Sequence, residues 1–197
     1  MANCLSGALD EESLVECAKV DPEAFGELFE RYYCPIISYV YGRTLNMDIA
    51  EEVTSNTFFK ALRALPQVRR RGPFKAWLYA IATNELRIHW RHAKRHSRVE
   101  EAARWEEVVG RITLSASDID DPHETVEAIQ RFAQLSNALR ELPNRYQSAL
   151  TLRYFEKLSY EEIAIALGKR LGTVKSLIHR GLQQLRVRLE TSRAIKP

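Results

Sequence analysis

The stretch from Leu158 to Leu185, LSYEEIAIALGKRLGTVKSLIHRGLQQL, limits what this chain can fold into more than any other. Ile163, Ala166 and Leu167 recur at helical spacing behind Ser159, whose hydroxyl is placed to cap a helix, and Glu162 three residues on completes a capping box. Gly168 suits the left-handed conformation that ends such a helix, and Gly172 or Thr173 suits the start of a second one. On that second helix Val174, Ile178, Gly181, Leu185 and Leu189 follow one another by four, three, four and four residues, the spacing of a buried stripe, with Leu177 and Leu182 flanking it. Lys175, Ser176, His179, Arg180 and Gln183 fall on the opposite face. A helix-turn-helix that reads DNA needs its second helix apolar behind and donor-rich in front, because the front lies in the major groove against phosphates and base edges. An ordinary amphipathic surface helix also shows one polar face, so this stretch alone leaves both readings open.

Charge narrows the choice. The 197 residues carry a formal net charge of +3, but the charge alternates in blocks: −8 over residues 1–59, +10 over 60–98, −7 over 99–129 and +8 over 130–197. Two basic blocks separated by an acidic one point to two separate contacts with a polyanion, whereas a solvated surface mixes its signs. The length suits two small domains, each with its own core. No apolar run reaches the length of a membrane span, and MANCLSGALDEESL lacks the basic-then-apolar layout of a secretory signal, which argues against membrane insertion and for the cytoplasm. Cys4, Cys17 and Cys34 are odd in number and widely spaced, so free thiols are expected rather than a disulfide framework or a structural zinc site. His89, His92 and His96 share one helix face, but no cysteine or aspartate joins them to complete a metal site.

Along the chain, helix signals follow one another. Asp21 and Pro22 open a helix with Phe25, Leu28, Phe29 and Tyr32 on one side. Asp48, with Glu51 three residues on, opens a second, which Val53, Phe58, Ala61, Leu62 and Leu65 extend to Pro66. A basic loop, QVRRRGP, precedes a helix from about Phe74 to about Arg95 on which Trp77, Ile81, Asn84 and Ile88 mark one face and Tyr79, Leu86 and Trp90 another. A helix apolar on two sides is either fully buried or has a second partner. Residues 97–120 lose periodicity and become acidic and serine-rich, as a flexible linker does. Asp121, Pro122 and Glu124 open another helix that Pro143 ends at Leu142, and RYQSALTLRYF leads on to the helix-turn-helix. No strand pattern or internal repeat is present. The expected fold is all-α: two small helical domains, residues 1–96 and 121–197, joined by the linker, the second carrying the helix-turn-helix.

The sequence holds no nucleotide-cradling glycine loop, no H-E-x-x-H and no serine with a plausible histidine and acid, so binding rather than catalysis is expected, with no cofactor. Aromatic side chains among arginines hold unpaired bases by stacking while the arginines neutralise the backbone. A reader of paired DNA and a holder of unpaired DNA on one chain suit a promoter, where one segment stays duplex and another melts. Here the residues resemble a family. DIAEEVTSNTFFKAL, FKAWLYAIATNELRIHWRHAKR and ALRELPNRYQSALTLRYFEKLSYEEIAIALGKRLGTVKSLIHRGLQQLR look like successive blocks of the extracytoplasmic-function (group IV) sigma factors of the sigma-70 family, in order and with a variable linker where the family has one.

That resemblance implies an alternative sigma factor that binds core RNA polymerase and directs promoter-specific initiation. It implies that Lys175, Ser176, His179 and Arg180 face the −35 element while Ser159 to Leu167 supports them. By the same resemblance Arg69, Arg70 and Arg71 surround a flipped −10 base, Lys75, Asn84, Arg87 and Arg91 hold the strand around it, and the polymerase clamp meets Asp48, Glu51, Glu52, Asn56 and Phe59. The chain departs from the family at Ser55 and Asn56, where relatives usually carry a glutamine and an acid. An anti-sigma factor is a further implied partner, along with core polymerase and promoter DNA. Two other readings compete: a sigma-like decoy that only sequesters an anti-sigma factor, which has no need of the +10 block, and an autonomous regulator using the helix-turn-helix alone. An enzyme acting on nucleic acid lacks the carboxylate cluster it would need.

Overall fold

The computed structural model describes residues 10–68, 72–96 and 134–194, and among these every regular element is helical. Helix α1 (Glu11–Cys17) is followed by α2 (Pro22–Thr44), α3 (Met47–Ala64), a 3-10 turn at Leu65–Gln67, and α4 (Phe74–His96). After a helical stretch over 134–140 come α5 (Asn144–Tyr154), α6 (Tyr160–Leu167) and α7 (Leu171–Ala194). The expected linker over 97–120 and the helix start at Asp121 lie outside the described residues, as do Arg69, Arg70 and Arg71.

The helices form two packed units. The first holds α1 to α4 together with Leu158–Arg170, and the second holds, among the described residues, 134–157 together with α7. Packing therefore groups α6 with α4, although α6 lies far along the sequence. This answers the two-sided apolar pattern of α4. One side packs on α3, α2 and α1, and α6 is its further partner.

Local chemistry explains where the helices start and stop. The Asp21 carboxylate accepts the Glu23 amide at 2.9 Å, and Pro22 sits in the first turn, where its missing N–H costs nothing. Leu45 closes α2 in a left-handed conformation, with its amide bonded to the Tyr41 carbonyl. The next cap differs from expectation. Asn46, not Asp48, caps α3, its side chain accepting the Ile49 amide at 3.1 Å. Asp48 stands in the first turn instead, where a carboxylate is favoured by the helix dipole. The Ser159–Glu162 capping box forms in both directions, and Gly168 ends α6 at φ 60°, ψ 44°. Such a cap is worth about 1 kcal/mol. Helix α7 already begins at Leu171, so Gly172 and Thr173 fall inside its first turn rather than capping it.

The core of the first unit is an apolar seam between α2, α3 and α4. Leu28, Ile36 and Val40 from α2, Ala50, Phe58 and Ala61 from α3, and Phe74, Leu78, Tyr79 and Leu86 from α4 are buried. Each large apolar side chain buried in this way contributes about 1.5–3 kcal/mol before the cost of ordering it. Aromatic pairs run along the seam: Tyr39 meets Tyr79 edge-on at 5.2 Å between ring centroids, and Phe29 meets Phe58 at 4.7 Å. The buried Tyr39 hydroxyl is satisfied by Thr83 Oγ1 at 3.0 Å. Leu62, expected on the core face of α3, is instead exposed.

In the second unit α7 crosses α5 closely at Gly181. A side-chain carbon there would lie 3.2 Å from Leu150 and 3.3 Å from Tyr146, so glycine serves to bring the two helices together. The Gln147 side-chain amide donates to the carbonyls of Arg140 and Leu142 at 2.5 and 2.9 Å, satisfying backbone acceptors left open where the 134–140 stretch ends. Among the described residues no helix is long and apolar enough to cross a membrane.

Candidate nucleic-acid and protein-binding surfaces

Three surfaces carry the residues singled out by the sequence. The first is the outer face of α7. Val174 and Ile178 are buried, Gly181 is buried against α5, and Leu185 and Leu189 continue the stripe half-buried. Lys175, Ser176, His179 and Arg180 are all exposed on the other side. The Ser176 hydroxyl donates to the Gly172 carbonyl at 3.0 Å, which spends its proton on the helix and leaves its lone pairs to accept. The face thus offers the fixed donor fork of Arg180, the mobile ammonium of Lys175 and the imidazole of His179, all facing solvent.

The second surface lies on α4. Asn84, Arg87 and Arg91 are exposed and stand at helix positions i, i+3 and i+7, so they share one face. Lys75 does not join them. It is half-buried in the first turn and, nine residues before Asn84, projects from the opposite side of the helix at 100° per residue. Trp77 and Ile88 fall on the Asn84 side and are half-buried. Beside this face lies the half-buried Arg43, its guanidinium 4.9 Å from the Trp90 ring centroid and 5.9 Å from that of Tyr39. Burial lowers its pKa, the Tyr39 phenol opposes that shift, and the charge of Arg87 adds to it. A guanidinium titrates so high that Arg43 stays charged through the physiological range, and it holds a positive potential under this face. Arg87 Nη2 donates to the Leu167 carbonyl at 3.0 Å.

The third surface is the outer stripe of α3. Asp48, Glu51, Glu52, Asn56 and Phe59 are all exposed, and Ser55 is exposed among them. Phe59 is 58% exposed, with the Arg63 guanidinium 5.6 Å from its ring. Leu62 and Arg63 extend the stripe by a turn, and sequence reasoning missed both because Leu62 fits the apolar spacing of the core face. Its spacing of three from the exposed Phe59 was the signal available. Phe59 and Leu62 thus stand exposed beside these acids. Among the described residues no cluster of histidine, cysteine, aspartate and glutamate is placed to hold a metal ion.

Comparison with known proteins gives these surfaces a common context. Residues 28–96 match the family model described as Sigma-70 region 2, and residues 132–185 match that described as Sigma-70, region 4. The RNA polymerase sigma factor YlaC of Bacillus subtilis (strain 168) is 30% identical over 171 residues, covering 87% of this chain and 95% of the relative. The ECF RNA polymerase sigma factor BldN of Streptomyces coelicolor is 33% identical over 175 residues, covering 87% of this chain and 63% of its own. Among solved structures, CnrH in complex with the cytosolic domain of CnrY superposes with a TM-score of 0.66 at 21% identity, over 92% of this chain and 97% of that one. RpoE in complex with the anti-sigma factor NepR, from Bartonella quintana, gives a TM-score of 0.61 at 20% identity, over 84% and 96%. At these identities the two structures bear on the fold alone.

Proposed function

The chain belongs to the extracytoplasmic-function group of the sigma-70 family, and from that membership we propose how its three surfaces divide the work of an alternative sigma factor in promoter-specific initiation. The outer face of α7 reads the −35 element through Lys175, Ser176, His179 and Arg180. The α4 face holds the −10 strand through Asn84, Arg87 and Arg91, with Arg69, Arg70 and Arg71 of the preceding loop around a flipped base and Lys75 at the start of the helix. The outer stripe of α3 docks on core polymerase through Asp48, Glu51, Glu52, Asn56 and Phe59. Its work is binding, and the polymerase supplies the chemistry. Partners are core polymerase, promoter DNA and an anti-sigma factor, and the place of action is the cytoplasm.

One observation carries the reading. On α7 the buried Val174, Ile178 and Gly181 leave Lys175, Ser176, His179 and Arg180 on a single exposed face. Such a division is what major-groove entry requires, with apolar side chains packed behind and donors free to meet phosphates and guanine edges. Run-off transcription with core polymerase and a library of genomic fragments tests it: transcripts should start from a discrete set of promoters sharing one −35 sequence. No stimulation of core polymerase by the pure protein would exclude initiation, and co-elution with core without any transcript would favour a decoy.

A further inference from the structure

Trp90 stands near the end of α4, four residues after Leu86, so its place on the helix continues the buried stripe of Tyr79, Ala82 and Leu86. Those three are fully buried, whereas Trp90 is only half-buried. Over its ring stands a charged group, the Arg43 guanidinium, 4.9 Å from the centroid. Tyr39 meets the same guanidinium at 5.9 Å, and the Tyr39 hydroxyl is fixed in turn by Thr83. A guanidinium over an indole is an attractive pairing, and here it backs the ring with a cation seated on the core. Arg87, three residues before Trp90, is its neighbour on the helix surface, and both Arg87 and the adjoining Arg91 are exposed. Arg87 spends one of its five donors on the Leu167 carbonyl, which leaves four. Burial, and after it the charge of Arg87, lowers the pKa of Arg43 against the opposing effect of Tyr39. Two cations thus repel each other beside one indole, an arrangement that an incoming phosphate relieves.

We propose that Trp90 is a base-stacking residue of the α4 face, its ring taking one unpaired base of the −10 strand while Arg87 and Arg91 meet the phosphates beside that base. The proposal rests on the assignment of Asn84, Arg87 and Arg91 to that strand. Phosphate contacts hold a strand whether or not its bases are paired, but only a base that has left the duplex reaches an aromatic face. Stacking on Trp90 therefore favours the melted state over the paired one. A purely structural Trp90 would need only to be apolar at the end of the buried stripe. Leucine and phenylalanine both keep the position apolar, and of the two only phenylalanine keeps a flat ring, so the pair of substitutions separates stacking from packing.

The test uses the holoenzyme formed by the full chain with core polymerase, and a promoter fragment from the run-off assay whose −10 region is kept open by mismatches. Trp90→Leu should weaken binding of the open fragment about tenfold, leave binding of the fully paired fragment unchanged, and keep a thermal midpoint close to that of Trp90→Phe. Trp90→Phe should bind the open fragment within about threefold of the unaltered protein. The fluorescent base 2-aminopurine, placed at successive positions of the unpaired strand, reports stacking by its quenching. One position should be quenched by the unaltered protein and by Trp90→Phe, and should stay bright with Trp90→Leu. Equal losses in the two variants, or none in either, while Asn84→Ala and Arg91→Ala still weaken binding, overturn the stacking role and leave the strand assignment standing. If Asn84→Ala and Arg91→Ala also bind as the unaltered protein does, the strand assignment fails and the stacking role fails with it. The unaltered holoenzyme gives a readout free of any folding defect, and the absence of a quenched position there also overturns the proposal.

Discussion

Lys60 Nζ lies 2.6 Å from each carboxylate oxygen of Glu85, and this pair ties α3 to α4 across the apolar seam. Glu85 is only 7% exposed, whereas the Lys60 side chain is 48% exposed. The two ends are therefore unequal. Lys60→Met leaves a carboxylate buried without its partner and should cost about 1–3 kcal/mol of stability, while the double change Lys60→Met with Glu85→Leu should recover part of the loss. Urea unfolding of the three proteins measures it. Additive losses in the double variant would show that the two residues act independently.

Phe59 is expected to anchor the α3 stripe proposed to bind polymerase. Its ring is exposed in the free protein, so Phe59→Ala should change folding stability by no more than about 0.5 kcal/mol. Loss of a central aromatic anchor should weaken association with core polymerase about tenfold or more. Competition against a labelled reference sigma factor for core polymerase reads the affinity directly. A large drop in thermal midpoint without a change in competition would instead assign Phe59 to the fold.

Lys175 and Arg180 share the exposed face of α7 but differ in chemistry. A guanidinium can grip guanine at two points, so Arg180→Ala should cost about 1–3 kcal/mol and relax choice at one base pair of the −35 element. An ammonium acting on phosphate carries no sequence information, so Lys175→Ala should weaken every −35 variant alike and reduce the salt dependence of binding. Holoenzyme binding to a set of −35 point variants at two salt concentrations separates the two roles. Uniform losses from Arg180→Ala would exclude base reading by that residue.

Tyr32 makes a prediction about alkaline pH. Burial, followed by its hydrogen bond to Glu11 and the charge of that carboxylate, holds the phenol well above its ordinary 10.0. The folded protein thus keeps a proton that the unfolded chain gives up first. This contribution to stability is complete below about pH 10 and is lost as the pH rises above that value. Tyr32→Phe should lower stability near neutrality and flatten its decline above about pH 10, as read by urea unfolding across the alkaline range. A decline as steep in the variant as in the unaltered protein would place the lost proton elsewhere.

The features legible in the sequence were those set by neighbours three or four residues apart. The Asp21–Pro22 start of α2, the Ser159–Glu162 box, the left-handed Gly168 and the Val174, Ile178, Gly181 stripe are local arrangements, and periodicity or cap chemistry is enough to specify them. Even at this range equal candidates compete: Asn46 and Asp48 both suit a cap, and only the path of the chain out of Leu45 put Asn46 in place. Leu62 obeyed the apolar spacing of α3 yet faces solvent, because burial depends on what another helix brings to it. Tertiary structure alone decided the remaining relationships. The Lys60–Glu85 pair joins positions 25 residues apart, and the Arg87–Leu167 hydrogen bond joins positions 80 apart. The two-sided apolar pattern of α4 left it either fully buried or in need of a second partner, and no local signal named α6, since the choice of partner depends on shape and polarity across a gap that sequence periodicity does not span.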